Sequence, residues 1–152
     1  MIGKMEEQLE IKRQFREQQQ KFVYYVIALS VTSIGYSVYQ TAGLPLNWSQ
    51  IPLGFAILCW GFSIYCGFQH LKYIINTLYA NNVYLDIVQG NHPEIGEDIE
   101  FIKAASSGVM DAMENNSDKA NYFFSYQNNL FYLGVILFLA WHVIEMYNNT
   151  VI

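Results

Sequence analysis

From Phe22 to Leu71 the chain has no Asp, Glu, Lys or Arg, a gap of fifty residues. A second gap runs from Ala120 to Ile144. Helices in the core of a soluble protein rarely sustain about 18 uncharged residues, so these gaps exclude an ordinary water-soluble bundle. Basic residues are missing in a pattern. None falls between Lys21 and Lys72, and none follows Lys119. Cysteine is scarce: only Cys59 and Cys66 occur, seven positions apart. On one helix that is about 10 Å of axial rise, too far for an intrahelical disulfide, and both read as small packing residues. There is no glycine loop of the phosphate-binding type, no Cys–His pair and no nucleophile motif. With three histidines in all, no catalytic or metal-binding set is in view and an enzyme is not expected.

A spanning helix needs about 20 apolar residues, so the first gap holds two spans and a tight turn. Gly43, Pro45, Asn47 and Pro52 mark that turn. The reading is span one at 22–42, an external turn at 43–50 and span two at 51–71. A cytoplasmic region follows at 72–126, then span three at 127–147 and an external tail at 148–152. Lys and Arg stay on the cytoplasmic side. All eight fall at 4–21 or 72–119. The N-terminus is therefore expected inside and the C-terminus outside. A cleavable signal peptide is not expected, because the basic region is long and helical. The mean hydropathy of only +0.13 says that a polar portion of similar size accompanies the spans.

Residues 4–21 hold good helix formers and no Gly or Pro. One helix is predicted from about Lys4 to Ala42. Span two keeps a helical stripe through Leu71, Ile74, Ile75, Leu78, Leu85 and Val88, and Gln89-Gly90-Asn91 reads as its stop. His92-Pro93 breaks the chain. A further amphipathic helix is predicted near Glu94–Glu114, bent or split at Ser106-Ser107-Gly108. Asn115-Asn116-Ser117 reads as a turn, with Ser117 or Asp118 capping the last helix. The fold class is an all-α membrane protein. Its three transmembrane helices extend into a cytoplasmic helical bundle of four pieces, and copies of the chain associate as a homo-oligomer to cover the remaining apolar stripes.

Ser30, Ser33, Ser37 and Gln40 recur at helical spacing in span one and are candidates either for close helix packing or for lining a water-filled path. Ala56, Cys59, Ser63, Cys66 and Gly67 form one small-residue stripe in span two, closed by His70. Gly54 and Gly61 form another. His70 reads as structural or lipid-facing. His142 and Glu145 stand one turn apart in span three and read as a hydrogen-bonded polar pair. An ionisable group in a span is a functional candidate by default. Asp86, Glu94, Glu97, Asp98, Glu100, Asp111, Glu114 and Asp118 make the middle segment acidic, a solvated face that would concentrate cations in a ring of copies. Tyr122, Phe123, Phe124 and Tyr126 read as an interfacial aromatic belt. The expected partners are the lipid bilayer and further copies of the chain. No duplex nucleic acid and no cofactor are expected.

The layout resembles the small multi-span membrane effectors of bacterial anti-phage systems. These include two-span effectors of nucleotide systems and the Hailong-type membrane effector. The parts that carry the likeness are the basic N-terminal helix, the tight hairpin GLPLNWSQIP, the extended helices and the last span LFYLGVILFLAWHVIE. The resemblance implies an oligomeric pore in the bacterial inner membrane that depolarises the cell and answers to a nucleotide or oligonucleotide. It makes Lys12, Arg13, Arg16, Lys72, Lys103 and Lys119 the candidates for an anionic ligand.

Overall fold

A computed structural model describes residues 2–44, 47–93, 95 and 98–150. Three long helices account for nearly all of them: α1 (Ile2–Thr41), α2 (Ile51–Val88) and α3 (Ile99–Thr150). No strand occurs among the described residues. Each helix contains a stretch long and apolar enough to cross a membrane. No more than 33% of any such stretch is buried inside the chain, so most apolar side chains face outward. An outward apolar surface suits lipid as solvent rather than water.

The ends of the helices follow from local chemistry. Gly43 (φ 82°) supplies the left-handed residue that ends the first helical run, and the Leu44 amide donates to Thr41 O at 3.1 Å. Asn47 then caps a short 3-10 turn, Trp48–Gln50, that leads directly into α2. Pro45 lies outside the described residues. At the end of α2, Gly90 has φ 73°. Its amide donates to Ile87 O at 3.1 Å, and the Asn91 amide donates to Asp86 O at 2.9 Å. These two crossed bonds satisfy carbonyls that the helix end leaves open, and only glycine takes this backbone without penalty.

The middle region differs from the sequence reading. The predicted turn at Asn115–Ser117 does not form, nor does the break at Ser106–Gly108. A single helix runs through both. Neither Ser117 nor Asp118 is a cap. Asp98 is the cap, with its carboxylate accepting the Glu100 amide at 2.9 Å. Asn and Ser are less favourable than Ala in a helix by at most about 0.7 kcal/mol each, and no proline interrupts them. Propagation of an established helix outweighs that preference. The expected start at Glu94 lies outside the described residues, as do Glu97 and the last two residues of the expected tail. Asn148–Thr150 is helical rather than a free tail.

The chain divides into two compact units. One comprises Met1–Gly67 with Tyr126–Ile152, and the other Phe68–Ser125. In the first, buried positions recur at helical spacing. They are Val23, Val26, Ser30 and Ser37 on α1, then Leu53, Ala56, Trp60, Ser63 and Cys66 on α2, and Gln127 and Trp141 on α3. Contacts pair rising α1 numbers with rising α3 numbers and falling α2 numbers. Val23 meets Gln127, Trp60 lies beside Gly134, and Tyr36 meets Phe138. The three segments are therefore antiparallel in turn. In the second unit His70, Ile87 and Ala120 are buried.

Candidate functional site

The polar face of α1 divides in two. Ser30 and Ser37 are fully buried within the helix packing. The Ser37 hydroxyl donates to Ser33 O at 2.8 Å, while Ser30 Oγ has no partner. Ser33 is half-buried and Gln40 is exposed. At about 100° per residue, position 37 sits only ~20° around the helix from position 30, whereas 33 and 40 sit ~60–80° away. That rotation carries Ser33 and Gln40 out of the core and toward α3.

There they line a groove between α1 and α3. One part, about 450 Å³, is lined by Leu29, Thr32, Ser33, Val135 and Leu139, with Trp60 of α2. The other part, toward the C-terminal ends of α1 and α3, is about 500 Å³ and is lined by Gln40, Leu44, Trp141, His142 and Glu145. Tyr36 and Phe138 border both parts. Its aromatic wall is ordered: Tyr36 meets Phe138 edge-on at 6.2 Å, and Phe138 lies 5.6 Å from Trp141. Gln40 Nε2 donates to Tyr36 Oη. His142 is exposed and Glu145 half-buried. They share the groove, and no hydrogen bond joins the two side chains. No group of three or more His, Cys, Asp and Glu able to hold a metal ion occurs among the described residues.

Elsewhere in this unit, polar bonds tie the helices together. The Ser63 hydroxyl donates to the Gln127 carbonyl at 2.8 Å, and the Gln127 amide reaches Val23 O at 3.3 Å. Gln127 therefore touches all three helices. Gly134 accepts the Trp60 indole against its backbone, and Gly67 does the same for Ile27 and the Gln127 side chain. Of the two expected small-residue stripes in α2, the first is inside: Ala56, Ser63, Cys66 and Gly67 are buried and Cys59 is half-buried. Gly54 and Gly61 are exposed. Sequence reasoning missed Gln127 and Trp60. The signal for the former was present, since Ala120, Gln127, Gly134 and Trp141 recur every seven residues.

In the second unit His70 is fully buried, with Nδ1 2.8 Å from Ala120 O. A carbonyl only accepts, so Nδ1 carries the proton. The ring also lies 5.4 Å from Phe124. The aromatic group expected as a belt is divided. Phe123 and Phe124 are half-buried, while Tyr122 and Tyr126 are exposed. Tyr73 stacks on Phe123 at 5.6 Å, and Lys119 Nζ lies 5.7 Å over the Tyr73 ring. Lys72 and Lys103 are exposed in the same unit.

Lys12, Arg13 and Arg16 are exposed on α1. Arg13 pairs with Glu10 at 2.9 Å. The hydrogen bond from Arg13, followed by one from Gln14, holds the Glu10 carboxyl below the usual carboxylate range. Of the acidic residues, Asp98, Glu100, Asp111, Glu114 and Asp118 are exposed and Asp86 is half-buried. No family model matches this chain, and neither a curated protein nor a solved structure is significantly similar to it.

Proposed function

We propose that this is a homo-oligomeric ion-channel-like membrane protein, with the α1/α3 groove of each copy turned toward a shared water-filled path. The groove carries the reading. It brings Ser33, Gln40, His142 and Glu145 to one surface of helices that are otherwise apolar outside. Ionisable side chains within a span almost always face the bundle interior or a water-filled cavity. Ser33 and Gln40 are then the pore-lining members of the α1 set. Ser30 and Ser37 are the members packed inside the helix bundle.

A second feature supports assembly. In the unit 68–125, Ile75, Leu78, Tyr79, Leu85 and Val88 of α2 are exposed, as are Ile99, Phe101 and Met110 of α3. Monomeric proteins rarely leave so much apolar surface open to water, and further copies would cover it. The proposed orientation puts the basic N-terminus and this unit in the cytoplasm of a bacterium, and the groove's Glu145 end outside. By resemblance, opening depolarises the inner membrane during anti-phage defence. A nucleotide signal would meet Lys12, Arg13, Arg16, Lys72, Lys103 or Lys119.

The test is ion flux through purified protein in liposomes, with particle mass measured in detergent. Flux from a multimer, changed by a cyclic or oligomeric nucleotide, is the expected result. Vesicles that stay sealed under every condition would refute conduction. A soluble protein co-purifying at fixed stoichiometry with sealed vesicles would point instead to a non-conducting scaffold.

A further inference from the structure

We infer that the outer end of the α1/α3 groove is a cation-selecting site, with Glu145 as its charged member. The inference rests on the channel reading and adds the class of ion that passes. Among the described residues Glu145 is the only carboxylate on the groove wall. No Lys or Arg side chain is at hand to neutralise it. None occurs between Lys21 and Lys72 or after Lys119. Lys21 stands 19 positions before Gln40 on α1, about 28 Å along the axis, well beyond the ~8 Å over which physiological salt lets exposed charges interact.

The neutral neighbours favour the same sign. Tyr36, Phe138 and Trp141 line the same wall, and aromatic rings attract cations at their faces. Gln40 gives its amide nitrogen to Tyr36, so its carbonyl oxygen is the atom left for an ion. His142 is the one group on this wall able to carry positive charge, and its neutral form also presents an acceptor. In a ring of copies each contributes one carboxylate, the device by which cation pores exclude anions. Low-dielectric walls sharpen the field between them.

The experiment is reversal-potential measurement in planar bilayers across a KCl gradient. The native protein, Glu145→Gln and Glu145→Lys are compared, each confirmed as the same multimer by mass in detergent. The expected result is a native channel that prefers K⁺ to Cl⁻. Glu145→Gln should lower the K⁺/Cl⁻ permeability ratio by about tenfold, and Glu145→Lys should reverse the preference. Native currents that favour Cl⁻, or a preference unmoved in Glu145→Gln, would overturn the cation site and leave the channel reading standing. No current from native protein under any condition would remove both.

Discussion

Gly134 offers a sharp test of the helix packing, because two opposed effects act on one substitution. A β-carbon there would lie 2.6 Å from Trp60 Nε1, 2.8 Å from Cδ1 and 3.0 Å from Cε2. Ordinary carbon contacts are about 3.5–4.0 Å. The obstacle is a rigid indole only 2% exposed, so it has no room to swing away. Overpacking of this kind costs about 1–3 kcal/mol, while replacing a helical glycine with alanine returns up to ~1 kcal/mol of propensity. Gly134→Ala should therefore lie between neutral and ~2 kcal/mol less stable. Gly54 is the control, since a β-carbon added there would meet nothing within 4 Å. Gly54→Ala should be about 0.5–1 kcal/mol more stable. The assay is reversible unfolding in mixed micelles. A double variant with Trp60→Leu completes it: Gly134→Ala should be less harmful where the indole is gone. Equal stabilities for Gly134→Ala and Gly54→Ala would refute the close approach of α2 and α3.

Gln127→Leu removes a long hydrogen bond to Val23 O, worth on average about 0.6 kcal/mol between membrane helices. It also removes a buried Oε1 that has no partner, a cost of about 1–3 kcal/mol. The variant should be neutral or more stable in the same assay, and a clear loss would show that the bond matters more than its length suggests. His70→Ala empties a fully buried site between α2 and α3 and should raise amide exchange across residues 68–125, a change that hydrogen–deuterium exchange would read. Asp98→Ala deletes the cap of α3, with an expected loss of about 0.5–2 kcal/mol seen as faster exchange at the Glu100 amide. For Glu10 the folded carboxyl is held below its unfolded value, so its pairing supports α1 at neutral pH and fades as pH falls through the folded value. The exposed site makes this a small, salt-sensitive change in helicity, reduced in Arg13→Ala and measurable by circular dichroism.

Much of this architecture is legible in one sequence because the bilayer is a demanding solvent. Uncharged length alone marks three apolar stretches, and Gly43 and Gly90 mark helix ends, since both require a left-handed backbone. The middle segment was harder. Asn115-Asn116-Ser117 favours turns locally, yet each residue is only mildly unfavourable in a helix, and α3 continues through them. The site was half visible. Spacing put Ser30, Ser33, Ser37 and Gln40 together, but a set that drifts ~80° around the helix spans two surfaces, and only the neighbouring helices decide which members are covered. His142 and Glu145 were evident as polar groups in an apolar run. Their meeting with Gln40 and Tyr36 depends on the register of α1 against α3, which no local pattern encodes.

The most direct measurement is cysteine accessibility in conducting channels. Cys59 and Cys66 are replaced by alanine, and single cysteines are placed at Gln40 in the groove and at Val38, exposed on another side of α1. A charged, water-soluble thiol reagent should block current through Gln40→Cys and leave Val38→Cys conducting. Block at Val38→Cys with Gln40→Cys untouched would place the groove in lipid and contradict a pore lined by α1 and α3.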